Sequence, residues 1–136
     1  MAAPDDQMLH NLAKRAKAAS ETAYCPYSKF RVGAAVLTDD GQIFEGCNVE
    51  NASYGLTICA ERNAVFQMVA RAKQKITAVV IYTPTVKPSA PCGACRQVIN
   101  EFGPDALIMS VCDGEGVLKK KLSELLPDAF GPANLN

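Results

Sequence analysis

Two short segments hold the residues best suited to chemistry: Cys59-Ala60-Glu61 and Pro91-Cys92-Gly93-Ala94-Cys95. Zinc prefers thiolate and imidazole donors, and a catalytic zinc uses three protein ligands plus a water. The single histidine, His10, lies far from both segments in sequence. A zinc site here would therefore be built from sulfur. Cys92 and Cys95 stand three apart at a predicted helix start, so both thiols can face one point. Cys59 is placed in the first turn of another helix. Two helix N-termini would then converge on the metal, and their positive ends favour thiolate over thiol.

Three thiolates around Zn²⁺ leave an excess of negative charge, which opposes the generation of more at the metal. Arg62 is the nearest candidate to offset it, by hydrogen bonding a ligand sulfur. A solvated helix arginine is an equally simple reading of its position. Glu61 lies two residues after Cys59, so its side chain diverges from the metal-facing thiol but stays within the site. That suits an acid/base better than a fourth ligand.

Other readings compete. A thioredoxin-like redox pair accounts for Cys92 and Cys95 but leaves Cys59 and Glu61 idle. A structural four-cysteine zinc needs Cys25, Cys47 or Cys112 to join, and no spacing selects one. Cys47 and Cys112 fall at strand ends and read as ordinary buried thiols. Cys25 also reads as structural.

The elements that must position these groups follow from periodicity. Asp5 or Asp6 can cap a first helix with Leu9, Leu12, Ala13, Ala16 and Ala19 on one face, and Pro26 closes that segment. Phe30 to Leu37 and Ile43 to Cys47 read as strands joined at Asp39-Asp40-Gly41, a hairpin over 30–47. Asn48 to Thr57 is a polar loop. A second helix runs from about Ile58 to Ala72, with Ala64, Val65, Met68 and Ala72 on one face. Ile76 to Tyr82 is an apolar run suited to a central strand. The stretch with Pro84, Pro88 and Pro91 must be a loop. A third helix starts near Cys92 and buries Cys95, Val98, Ile99 and Phe102. Leu107 to Val111 is a further strand, completing a βαβ unit with parallel strands. A helical turn is expected near Ser123 to Leu126. Lys119-Lys120-Lys121 reads as solvated charge near an edge.

The chain has 136 residues, of which 49% are hydrophobic, which fits a single domain over 1–136. Its 14 basic and 14 acidic side chains cancel, so a polyanionic nucleic acid is not the expected partner. A small, nearly neutral ligand fits better. No apolar stretch approaches the roughly 18 residues needed to span a bilayer, and Met1 to Asp6 shows no leader pattern. The expected setting is soluble and cytoplasmic, and also nuclear if the source is eukaryotic. There the six cysteines are thiols or metal ligands.

Around these features the chain resembles the cytidine deaminases of the small homotetrameric type. The resemblance rests on Cys59-Ala60-Glu61 and on Pro91 through Gln97. It extends over Tyr27 to Ala35, Gly46 to Tyr54 and Leu125 to Phe130. It implies a three-layer α/β/α sandwich with a mixed five-stranded sheet. It implies one Zn²⁺ per chain on Cys59, Cys92 and Cys95, with Glu61 as the catalytic proton carrier. Phe30, Asn48, Glu50 and Ala60 match nucleoside-contacting positions. Tyr54 and Phe130 match residues that reach a neighbouring subunit's site, where Phe130 could stack on the pyrimidine. The implied reaction is hydrolytic deamination of cytidine and deoxycytidine, in which Glu61 moves protons to N3 and to the leaving amino group. The rivals are a non-catalytic zinc-stabilised binding domain and a deaminase of a related cytosine analogue. Polynucleotide editors typically carry His-x-Glu where this chain has Cys59-Ala60-Glu61.

Overall fold

The computed structural model describes residues 3–135. Met1 and Ala2, read above for a leader, and Asn136 lie outside the described residues. Helix α1 (Asp6–Ser20) is capped by Asp5, whose carboxylate accepts the Met8 N–H at 2.8 Å. Leu9, Leu12 and Ala16 are buried, while Ala13 and Ala19 sit at the margin of that face. Pro26 does not end this helix. It stops at Ser20, where Ser20 Oγ and Thr22 Oγ1 donate to the Lys17 and Ala19 carbonyls. Such hydroxyls compete with the helical ladder.

Strand β1 (Gly33–Thr38) starts three residues later than Phe30. The reason is Asn48, whose amide takes the Phe30 carbonyl and the Val32 N–H that a ladder would otherwise use. β1 pairs antiparallel with β2 (Ile43–Cys47), from Gly33 opposite Cys47 to Leu37 opposite Ile43. Between them Thr38 and Lys73 bind Asp40, the latter at 2.7 Å. These partners, Lys73 foremost, hold the Asp40 carboxyl at about 2, against an ordinary 3.8. A depressed carboxyl stabilises the fold above its unfolded value, and that contribution fades as pH falls through the folded one. Asp40→Asn should therefore flatten the acid limb of a stability–pH curve between about pH 4 and about pH 2, read by urea unfolding.

Helix α2 (Ala60–Ala70) is shorter than the expected 58–72. Ile58 is held in a bridge to Val49, and Cys59 is the extended cap rather than a first-turn residue. At the other end Ala72 takes a left-handed φ of 63° and is exposed, so only Ala64, Val65 and Met68 form the buried face. Strand β3 (Ile76–Tyr82) is central, and helix α3 (Gly93–Phe102) leads to β4 (Leu107–Val111). β3 and β4 pair in parallel, as the βαβ reading requires. Val98 and Phe102 on α3 are only partly buried; Cys95, Ile99 and Asn100 form its inner face. β5 (Leu118–Lys121) is a strand the apolar pattern did not reveal. It is the antiparallel edge beside β4, where its lysines discourage further pairing. A single turn, α4 (Leu122–Leu125), follows.

The sheet order is β2-β1-β3-β4-β5. Alternation along the strands sends Ala35, Leu37, Ala78, Val80 and Tyr82 toward α1. It sends Ala34, Val36, Val79, Ile81 and Ile108 toward α2, α3 and α4. The result is the expected three-layer sandwich on a mixed five-stranded sheet.

Close packing fixes α2 against the sheet. A Cβ on Gly46 of β2 would lie 2.6 Å from the Ala60 carbonyl oxygen and would also overlap the Ala64 nitrogen. Both obstacles are backbone, so neither can swing aside. Gly46→Ala should cost about 3 kcal/mol by overpacking, measured from urea midpoints, because α2 must retreat from β2.

Candidate metal centre

Cys59 and Cys92 occupy equivalent places, each the cap residue of its helix with extended backbone. Neither side chain spends itself on a capping hydrogen bond. Both thiols are therefore free, beside unpaired helix N–H groups that favour negative charge. Cys95, one turn into α3, is fully buried. The three sulfurs lie within 4.8 Å of one another, with Cys92 to Cys95 at 3.5 Å and Cys59 to Cys92 at 3.9 Å. All six cysteines are free thiols. Among the described residues, no other cysteine, histidine or carboxylate joins this cluster. A closed four-cysteine site and an isolated redox pair both fit this arrangement less well than a three-sulfur metal site. The donor chemistry suits zinc: three soft sulfurs at helix ends, in the number typical of centres that also take water.

The charges are arranged to support thiolate at Cys59. The Cys59 thiol is lowered to about 5, chiefly by Cys95 facing its sulfur and then by Arg62 and Cys92. Cys95, the opposing partner, is pushed up, first by Cys59 and then by burial. Arg62 Nη2 donates to Cys59 Sγ at 3.5 Å. The cysteine in turn holds the guanidinium proton more tightly. Arg62 Nε is buried with no partner. Glu61, in the first turn of α2, is only 5% exposed. Burial foremost pushes its carboxyl up to about 7, Cys59 adds to the rise, and Arg62 opposes it. A carboxyl tuned near neutrality is suited to accepting and returning a proton.

A second group gathers around the residues that follow β2. Asn48 is buried; its Oδ1 accepts from Val32 N–H at 2.9 Å and its Nδ2 donates to the Phe30 carbonyl at 2.7 Å. Glu50 Oε1 accepts from the Tyr27 and Ser28 N–H groups at 3.0 and 3.2 Å, and Oε2 accepts from Ser28 Oγ. Ser28 foremost lowers the Glu50 carboxyl, so it is held ionised. Tyr27 and Ser28 carry no functional signal of their own in the sequence, although they stand within the resembling stretch. Tyr54 is 74% exposed and meets the Tyr27 ring edge-on at 5.8 Å. Phe30 is also exposed. Ala60 is buried between Cys59 and Glu61. Phe130 lies on the C-terminal segment with its ring exposed and its carbonyl bound by α3. Arg96, another residue given no role from sequence, donates to the carbonyl of Pro91, directly before Cys92, at 2.7 Å. The broad groove between α1 and α2, lined by Glu45, Cys47, Asn63 and Phe66, holds none of the three sulfurs.

A three-layer α/β/α fold carrying a three-cysteine set beside a buried glutamate defines the class: a zinc-binding domain of deaminase type. Residues 6–111 match the family model for the cytidine and deoxycytidylate deaminase zinc-binding region. The chain is 44% identical over 133 residues to the cytidine deaminase of Halalkalibacterium halodurans, covering 97% of this chain and 98% of that protein. It is 43% identical to that of Mycobacterium tuberculosis, covering 93% and 90%. The crystal structure of cytidine deaminase from Burkholderia pseudomallei superposes with a TM-score of 0.86 at 49% identity, covering 89% of this chain and 98% of that one. The chain belongs to the cytidine and deoxycytidylate deaminase family.

Proposed function

We propose that this protein catalyses the zinc-dependent hydrolytic deamination of cytidine and deoxycytidine, giving uridine and deoxyuridine with release of ammonia. The observation that carries this reading is the buried Glu61 carboxyl two residues from Cys59, tuned toward neutrality beside a three-sulfur set. Cys59, Cys92 and Cys95 would hold the zinc, which when bound supplies the Lewis acidity that makes water nucleophilic near neutral pH. Glu61 takes the proton from the attacking water and delivers it to the pyrimidine N3. Oxygen bonds to C4. Glu61 then takes the proton of the new C4 hydroxyl and passes it to the amino group; the C4–N bond breaks, C4 keeps its oxygen as a carbonyl, and ammonia leaves. A non-catalytic zinc-stabilised domain would have no use for this carboxyl.

The remaining residues bind and orient. Three of the roughly four acceptor positions of a carboxylate are occupied at Glu50, which leaves one for a ribose hydroxyl. Asn48 keeps a second amide N–H for the same sugar. Ala60, the first residue of α2, has a backbone N–H outside the helical ladder that can meet the base. Phe30 flanks Asn48 and can pack on the nucleoside. Tyr54 and Phe130, with their rings exposed, would complete the sites of neighbouring subunits in a homotetramer. A cytoplasmic setting suits the six free thiols.

Arg62 offsets the thiolate charge through Cys59. Arg62→Ala should lower turnover or zinc retention by about tenfold, the size of a lost charged hydrogen bond. Metal analysis and initial rates on the same preparation check this. The substrate reading is tested by comparing cytosine, cytidine, deoxycytidine and deoxycytidine monophosphate. Cytidine and deoxycytidine should turn over best; a strong preference for the free base would refute the ribose assignment, and one for the monophosphate would refute the nucleoside as substrate.

A further inference from the structure

Helix α3 does more than carry Cys95. Three of its side chains reach the C-terminal segment and donate to backbone carbonyls there. Arg96 Nη1 donates to Leu125 at 2.8 Å. Gln97 Nε2 and Asn100 Nδ2 both donate to the carbonyl of Phe130, at 2.9 and 3.3 Å. Gln97 and Asn100 are three apart and share a face of the helix. Directly after Phe130 the chain turns, with Gly131 N–H donating to Asn134 Oδ1 at 2.8 Å within the same segment. Yet the Phe130 ring itself is 58% exposed. The backbone at Phe130 is thus held by two donors from α3 while its side chain is left exposed, an arrangement that fixes where a ring projects without burying it.

We infer that Gln97 and Asn100 are positioning residues for Phe130: α3, which places two metal ligands at its N-terminus, also sets the aromatic ring that stacks on the pyrimidine in a neighbouring subunit's site. This rests on the reading of Phe130 as a substrate-stacking residue. The two amides touch no substrate and act through the Phe130 carbonyl. Arg96 strengthens the link by holding Pro91 and Leu125 from one guanidinium, tying the ligand loop to the start of the same segment.

The test is a mutant cycle on the zinc-loaded enzyme with cytidine as substrate. Gln97→Glu keeps the size of an exposed side chain and replaces the donor with an acceptor that repels the carbonyl. Asn100→Asp does the same at the inner position. Phe130→Ala removes the ring. Gln97→Glu should raise KM by roughly five- to tenfold, as expected for one lost hydrogen bond with repulsion added, with kcat within about twofold and zinc per chain unchanged. Adding Gln97→Glu to Phe130→Ala should change KM by less than about twofold, because the ring it positions is gone. Asn100→Asp should follow the same pattern, and because Gln97 is exposed, its variant remains informative if Asn100→Asp folds poorly. A normal KM in Gln97→Glu would overturn the inference while leaving the stacking role of Phe130 intact, provided Phe130→Ala raises KM. Equal KM effects of Gln97→Glu with and without Phe130 would also overturn it. A normal KM in Phe130→Ala would overturn both the inference and the stacking reading.

Discussion

Glu61→Gln should retain one zinc per chain and lose turnover by about a thousandfold, within the range that a positioned acid/base contributes. Glutamine matches the shape of the buried side chain but cannot accept the proton of the attacking water. It also cannot pass a proton to N3 or to the leaving amino group. Both transfers therefore fail at once, which places the expected loss high in that range. Zinc should stay, because the three sulfurs come from Cys59, Cys92 and Cys95. Glu61 is buried in the first turn of α2, and an amide there avoids the desolvation that the carboxylate must bear. The variant should thus fold at least as well as the native chain. Metal analysis with single-turnover and steady-state rates would check it. Turnover within tenfold of native would move the proton transfers to another group.

Cys95→Ser should remove the metal itself. Cys95 is the only fully buried member of the set, on the inner face of α3. A serine hydroxyl does not ionise near neutral pH and is a poor soft donor, so two thiols would remain where a stable zinc needs at least three protein ligands. Zinc per chain should fall to less than about a tenth, and activity with it. Because metal binding free energy is also folding free energy, the melting temperature should drop by about 10 °C, as a loss of about 3 kcal/mol gives in a domain of this size. Cys112→Ser is the control. That thiol faces the carbonyls of Val86, Gly114 and Gly116 rather than another sulfur, so zinc and activity should remain at native levels. Full zinc retention in Cys95→Ser would contradict the three-sulfur centre.

The parts of this molecule written locally were the easiest to read from sequence. Ile76 to Tyr82 and Leu107 to Val111 are apolar runs, and each is a buried strand with the boundaries expected. Cys92 and Cys95 are close in sequence, and a cap residue followed by one turn of helix brings their sulfurs together. What escaped reading depends on distant partners. β1 begins at Gly33 because Asn48, at the end of the hairpin, consumes the polar groups of Phe30 and Val32. β5 carries three lysines, so its strand character comes from pairing with β4 and not from hydrophobic alternation. α1 ends on its own hydroxyls well before Pro26. Helix α2 starts two residues and α3 one residue later than the periodic pattern suggests, since Cys59 and Cys92 are extended cap residues that still belong to the turns they start. Glu50 read alone is a loop carboxylate; only the approach of Tyr27 and Ser28, more than twenty residues away, shows it held in one orientation. The tie from Gln97 to Phe130 spans 33 residues, and no local pattern announces it.

The central claim is a catalytic zinc served by Glu61. One measurement addresses it directly: determine zinc per chain on the purified protein and follow the ultraviolet change of cytidine to uridine on the same sample. The expected result is one zinc per chain with rapid loss of the cytidine absorbance and stoichiometric ammonia. One zinc per chain with no turnover of cytidine, deoxycytidine or any other cytosine nucleoside would contradict the account and leave the three cysteines as a purely structural centre.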